Sequence, residues 1–244
     1  MVLGRKIEQA IGFLLILISV VVSEERGFSF FGNSWFEPNM GQIGDMWGRV
    51  VKGVFFYGRG RGFDVYVGER GVSYVLRDVQ ENGYKFDVLD FESRMKEEGV
   101  LHRWGRIDLE LVGGEVSVDR IEYEGVVEGY ANYYYGHCPE GVLYVLGYRR
   151  VRIRDVYPGV NWVWEVREGG EIHHEFELEG ADRLSLIRMR IRWADVELGD
   201  GGRYLVMGNE VGRIKDGEVV GYGEGGRVVG VRYVRFGEEI GYEL

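Results

Sequence analysis

Tyr157-Pro158-Gly159-Val160-Asn161-Trp162-Val163-Trp164-Glu165-Val166-Arg167 is the stretch that decides the fold class. Proline fixes one backbone angle and glycine supplies the next, so Tyr157-Pro158-Gly159 is a corner that reverses the chain. Beyond it, Val160, Trp162, Trp164 and Val166 fall on one side of an extended segment, with Asn161, Glu165 and Arg167 on the other. Side chains alternate across a strand, so the segment reads as a strand with one heavy apolar face against a core.

The same period of two runs through the rest of the chain. Phe63, Val65 and Val67 alternate with Asp64, Tyr66 and Gly68, and Ile107, Leu109 and Leu111 alternate with Asp108 and Glu110. Val116, Val118, Ile121 and Tyr123 predict a further strand with a bulge near Asp119 and Arg120. Turn signals separate these runs at Gly68–Gly71, Gly113–Gly114, Gly169–Gly170, Asp200–Gly202 and Asp216–Gly217. Strands in close succession with short turns exclude βαβ winding and predict an all-β fold, an antiparallel β-sandwich of large or double form. The one helix candidate is a charged turn or two around Asp90 to Glu98. A sharper expectation concerns Glu171–Glu179 and Ile187–Trp193, which read as an antiparallel pair with a Glu row facing Arg188, Arg190 and Arg192.

Composition narrows the function. The chain has 40 glycines, 3 prolines and no threonine, which fits many tight turns with valine and tyrosine filling the strands. A charged fraction of 29% excludes an integral membrane protein. The net charge of -10 with dispersed basic residues argues against nucleic acid as a partner, the short Gly-Arg run at Arg59 and Arg61 included. Cys138 is the only cysteine, so no internal disulfide and no thiolate-rich zinc site can form.

The first residues read as an address. Arg5 and Lys6 precede an apolar run from Ala10 to Val22, followed by Ser23 and then Glu24, Glu25 and Arg26. Basic start, apolar stretch, small residue and polar exit describe a secretory signal peptide. The expected organisation is a signal peptide over 1–23, a lead-in over 24–34 and a single β-rich domain over 35–244. Loss of Arg5, Lys6 and Glu8 with the signal leaves 28 basic and 39 acidic residues. No stable membrane insertion is expected after cleavage, and the expected location is secreted, periplasmic or cell-surface.

Motifs for chemistry are weak. His173 and His174 are adjacent on a strand and point to opposite faces, so they cannot chelate one ion, and a surface histidine in a charge ladder is the expected reading. His137 beside Cys138 lacks an orienting carboxylate or an oxyanion loop. Gly58, Gly60 and Gly62 sit between strands rather than before a helix, which predicts a glycine-rich hairpin. Glu37, Asp155 and Glu175 are the carboxylates a glycosidase reading would use. No cofactor and no catalytic residue is expected. The aromatics are the candidates for ligand stacking: Trp35, Phe36, Tyr133, Tyr134, Tyr135, Trp162, Trp164 and Trp193 are enough to line a strip. Tyr133, Tyr134, Tyr135, Trp162 and Trp164 are the first candidates, with successive tyrosine rings pointing to opposite faces.

Less common segments carry a resemblance. Trp35-Phe36-Glu37-Pro38-Asn39-Met40-Gly41-Gln42, Asn132-Tyr133-Tyr134-Tyr135-Gly136, and the run from Tyr148 to Trp164 with Asp155-Val156-Tyr157-Pro158-Gly159-Val160 at its centre come in a characteristic order. They are followed by His174-Glu175-Phe176 and Gly180-Ala181-Asp182. Over about residues 35–210 the chain resembles a β-rich domain of unknown function that opens bacterial surface proteins with β-propeller-type repeats, among them gliding-motility-related ones. The resemblance implies export, a β-sandwich-like fold and a surface or adhesion role, with no catalytic residues. Phe36, Asn39, Gly41, Gln42, Asp155, Tyr157, Pro158 and Gly159 are its structural motif residues, with Asn39 and Gln42 expected to tie the leading segment to the scaffold. Asn161 departs from it, standing where an aspartate is usual. The expected function is a non-catalytic interaction or structural module with a protein or glycan partner at the cell surface; the alternatives are a carbohydrate-binding module using exposed aromatics and a polysaccharide hydrolase.

Overall fold

The computed structural model describes residues 14–22, 35–45, 47–60, 62–79, 102–167 and 170–244. The helix candidate at Asp90–Glu98, the lead-in over 24–34, the basic start, the apolar run before Leu14 and Ser23 lie outside the described residues. The strands are β1 (Leu14–Val22), β2 (Phe36–Pro38), β3 (Val54–Arg59), β4 (Phe63–Gly68), β5 (Gly71–Val79), β6 (His102–Leu111) and β7 (Ile121–Val126). There follow β8 (Ala131–Tyr135), β9 (Cys138–Val145), β10 (Tyr148–Tyr157), β11 (Val160–Val166), β12 (Ile172–Leu178), β13 (Arg188–Arg192) and β14 (Asp195–Gly199). The last six are β15 (Tyr204–Gly208), β16 (Arg213–Asp216), β17 (Val220–Gly223), β18 (Val228–Val229), β19 (Arg232–Phe236) and β20 (Glu239–Glu243).

Every ladder is antiparallel. One wall runs β10–β11–β12 and continues through β1 to β17, while β3 to β6 lead through β13 to β20 and β19. The C-terminal half of β1 joins β16, β15 and β14. The walls face each other across one core, where Phe176 of β12 meets Tyr242 of β20 at 6.2 Å and the Tyr242 hydroxyl lies against the Met189 sulfur. Val160, Trp162, Trp164 and Val166 supply the apolar face that their alternation predicts, and all four are buried. No helix among the described residues is long and apolar enough to cross a membrane.

The Tyr157-Pro158-Gly159 corner joins β10 to β11, with Gly159 at φ +72°, a left-handed conformation that glycine adopts without penalty. Its frame is side-chain work. Asp155 Oδ1 accepts from the Gly159 N–H, and the Tyr157 hydroxyl lies 2.9 Å from the Arg188 carbonyl on the facing wall. Asn161 accepts from the Asp155 N–H through Oδ1 and donates through Nδ2 to Glu177. An aspartate could do the first and not the second, and would add a charge beside Glu177. Asn161→Asp is therefore expected to cost about 1 kcal/mol in urea denaturation at neutral pH.

At the leading end, Asn39 Nδ2 donates to the Val51 and Val54 carbonyls, and Gln42 Nε2 donates to the Pro38 carbonyl. Gly41, two residues beyond Asn39 and at φ +112°, gives its N–H to Asn39 Oδ1. Phe36 is fully buried, edge-on to Phe56.

Three expectations need correction. β13 does not pair with β12: it lies between β6 and β20, where Arg192 meets Glu110 at 2.8 Å and Arg190 meets Glu239 at 2.9 Å. The link that reads as a short hairpin is a 3-10 segment, Ala181–Leu186, whose buried Leu184 carries the chain across the core to the other wall. The Glu row of β12 finds its arginines two strands away, on β10, where Arg150 reaches Glu175 and Glu177 and Arg152 reaches Glu177. The bulge expected at Asp119 and Arg120 is a 3-10 turn, Val118–Arg120, placed before β7.

The third correction concerns His173, which is not at the surface but 6% exposed; His174 lies buried at 1% with Ile172, Phe176 and Leu178, the face their alternation gives it. Trp162 Nε1 donates to His174 Nδ1 at 3.1 Å, so that nitrogen carries no proton and the ring proton sits on Nε2. Nε2 lies 3.3 Å from Asp216 Oδ1, close but poorly aligned, and both groups are fully buried. Burial, with the Asp216 charge adding to it, pushes the hydroxyls of Tyr74, Tyr233 and Tyr242 well above the usual phenol range.

Candidate functional site

The groove with the strongest claim to binding is built where β6, the β13–β14 turn and the β15–β16 turn meet. Asn209 shapes the last of these, accepting from the Val211 and Gly212 N–H groups and donating to the Arg106 carbonyl of β6. The turn can sit that close because position 105 is glycine: a Cβ there would lie 2.8 Å from Asn209 Oδ1 and from Val211 Cβ. Arg192 pairs with Asp108, which brings the next residue, Trp193, beside β6.

Two indoles flank the result. Trp104 is 60% exposed and Trp193 is 71% exposed, and both line one open concavity of about 500 Å³ with Arg106, Asn209, Glu210 and Val211. A second concavity of about 480 Å³ continues past Trp193 along Asp195, Glu197 and Arg213. Large exposed apolar rings beside a groove make this the candidate binding surface. Trp193 adds strain to exposure: its φ is +64°, a left-handed conformation that a bulky residue adopts only where its surroundings impose it. The sequence places Trp193 on the apolar face of Ile187, Met189 and Ile191, but the strand ends at Arg192 and the left-handed step turns the ring outward.

Trp104 is legible by parity. In β6 the odd positions Gly105, Ile107, Leu109 and Leu111 are buried, so Trp104 shares the outward face with Arg106, Asp108 and Glu110.

The stacking candidates divide. Trp162 and Trp164 are 0% exposed and pack against His174 and Phe176, so they have no face to offer a ligand and are core residues. The tyrosines sit on the separate β8–β9 hairpin. Tyr134 is 67% exposed, whereas Tyr133 and Tyr135 stack on the opposite face at 5.8 Å, with His137 next in the stack. Tyr133 is tied down: its hydroxyl and that of Tyr57 converge on the buried Glu37 carboxylate, which also accepts from Trp35 Nε1 at 2.7 Å. Burial and the Glu37 carboxylate push the Tyr133 hydroxyl up to about 12. The hairpin is thus a second aromatic surface, anchored to the sandwich through Glu37.

The three carboxylates of the glycosidase reading have structural partners. Glu37 holds three donors, Asp155 frames the corner, and Glu175 pairs with Arg150 at 3.2 Å. Cys138 is half-buried opposite Tyr135, and His137 Nε2 lies 3.1 Å from the Gln42 carbonyl oxygen. Among the described residues no group of three or more His, Cys, Asp and Glu side chains is placed to hold a metal ion.

A protein-family model described as a domain of unknown function, DUF7948, matches residues 36–244. No curated protein and no solved structure matches the chain.

Proposed function

The chain belongs to this family of domains of unknown function, and from that premise we propose that it is an exported, non-catalytic β-sandwich module that works by binding at the cell surface. The observation that carries the reading is the groove between Trp104 and Trp193, where a strained backbone holds an indole in solvent. The export signal in the sequence and the resemblance to domains that open β-propeller-repeat surface proteins support the location. Such a module supplies contact, and the repeats or partners around it supply the rest.

A second reading, that the ligand is a glycan, is favoured by the two indoles themselves. The C–H face of a sugar ring is apolar and weakly positive, which matches the negative face of an indole, while Asn209, Glu210 and Arg106 offer partners for hydroxyls.

The test is binding of the full chain to a glycan array and to intact cell envelope, beside Trp104→Ala and Trp193→Ala. Each variant is expected to lose at least about tenfold in affinity, on the order of 1.4 kcal/mol, with its unfolding midpoint close to that of the parent. Loss on envelope with no glycan hit selects a protein partner, and unchanged binding in both variants overturns the reading. Trp193→Gly separates strain from stability. A left-handed φ costs a non-glycine residue about 1–2 kcal/mol and glycine's extra chain entropy costs about 0.5–1 kcal/mol. This variant is therefore expected to be at least as stable as the parent in denaturant unfolding, and still to lose binding.

A further inference from the structure

Leu14–Val22 carries two roles that one segment cannot fill at once. In the sequence it is the apolar heart of an export signal, and in the fold it is β1, an inserted strand with neighbours on both sides. Leu14 to Ser19 pair with Leu178 to His173 of β12, Leu14 to Leu17 pair with Gly223 to Val220 of β17, and Val20 to Val22 pair with Asp216 to Ile214 of β16. Leu14 to Leu17 are thus paired on both sides, and removal of residues 1–23 would open a slot there, continued by single walls along β12 as far as His173 and along β16. Strands lie about 4.8 Å apart, so the walls of such a slot stand about 10 Å apart, room for one strand. Backbone N–H and C=O groups on both walls would lose their partners, beside side chains now buried: Ile172, Phe176 and Leu178 on one wall and Ile214 on the other.

We propose that this slot is a strand acceptor: in the exported chain it takes an extended apolar segment of a partner protein, antiparallel to β12, β16 and β17, and the precursor's own Leu14–Val22 is its placeholder. The matched family domain begins at residue 36, so the strand that completes it comes from outside the domain even here. Pairing on two sides fixes the guest's chemistry. It is about as long as β1, which has nine residues, and lacks proline at the paired positions, where a backbone N–H is required. Added strands bind through main-chain hydrogen bonds, and the buried side chains of the walls select apolar residues. The proposal rests on the export reading for the loss of residues 1–23 and is independent of the tryptophan groove.

The experiment uses the full chain with a specific protease site introduced between Ser23 and Trp35. The folded protein is cut, residues 1–23 are removed in mild urea, and after dilution a labelled synthetic peptide of Leu14–Val22 with flanking lysines is offered. The expected result is capture by the cut protein and not by the uncut one, and capture at least about tenfold weaker for the same peptide carrying Leu17→Pro. Amide hydrogen exchange over residues 172–178 should rise on cutting and fall again with the peptide bound. If cutting loosens the fold, near-ultraviolet dichroism restored by the peptide counts as capture. No capture, equal capture of the proline peptide, or lost dichroism that the peptide does not restore overturns the proposal. The N-terminal mass of the exported chain tests export separately, so the two failures are distinguishable.

Discussion

Trp162→Ala is expected to lower stability by about 3–5 kcal/mol, the range for deleting a large aromatic side chain from a packed core. Trp162 is fully buried, stacked on Phe176 at 5.6 Å and tilted against Trp164 at 4.9 Å. These contacts lie at the centre of β11 and β12, where neighbouring ladders limit collapse into the cavity. The same change also removes the N–H that His174 Nδ1 accepts. A shift in denaturant midpoint at unchanged slope measures the loss. Trp104→Ala in parallel should stay within about 0.5 kcal/mol of the parent, as expected of an exposed residue. Two tryptophans of one chain thus give opposite results, one in stability and one in binding.

His174→Leu is expected to be the next most damaging, at about 1–3 kcal/mol, because it leaves the buried Trp162 N–H without its acceptor and takes away the Nε2 group closest to the buried Asp216 carboxylate. The imidazole stands between the Trp162 N–H and Asp216, accepting on one side and presenting Nε2 on the other. Leucine fills the space but leaves the Trp162 N–H unpaired and Asp216 with the Tyr233 hydroxyl alone beside it. Adding Asp216→Asn to the same chain should recover a large part of the loss, since a neutral amide costs far less to bury than an unpaired charge. Equal loss in the single and double variants, measured by urea unfolding, would show that the cost lies in shape rather than in charge.

The fold class was legible because its evidence is local. The parity of Val160, Trp162, Trp164 and Val166 and the angles of Pro158 and Gly159 act within a few residues, and the observed β10–β11 corner follows from them. Pairing was not legible. The Glu row of β12 and the Arg row of β13 match in sign and spacing, yet Arg150 and Arg152 of β10 satisfy the first, while Glu110 and Glu239 satisfy the second. Charge complementarity at a surface is too weak and too common to choose between such arrangements. The site was half legible. Parity along β6 turns Trp104 outward, but parity gives the wrong face for Trp193, because a single left-handed residue at the strand end reverses it. Aromatic richness alone groups Trp162 and Trp164 with Trp193 as stacking candidates, although the alternation assigns the first two to the core.

The central claim is that the Trp104–Trp193 groove is the working surface of the module. Oxidative footprinting of the 6 tryptophans of the full chain, free and bound to intact cell envelope, tests it most directly. The account predicts that Trp104 and Trp193 are oxidised readily in the free protein and protected in the bound one, with Trp162 and Trp164 unreactive throughout. Undiminished oxidation of Trp104 and Trp193 in a sample shown to be bound would contradict it and move the binding surface elsewhere, first of all to the β8–β9 hairpin.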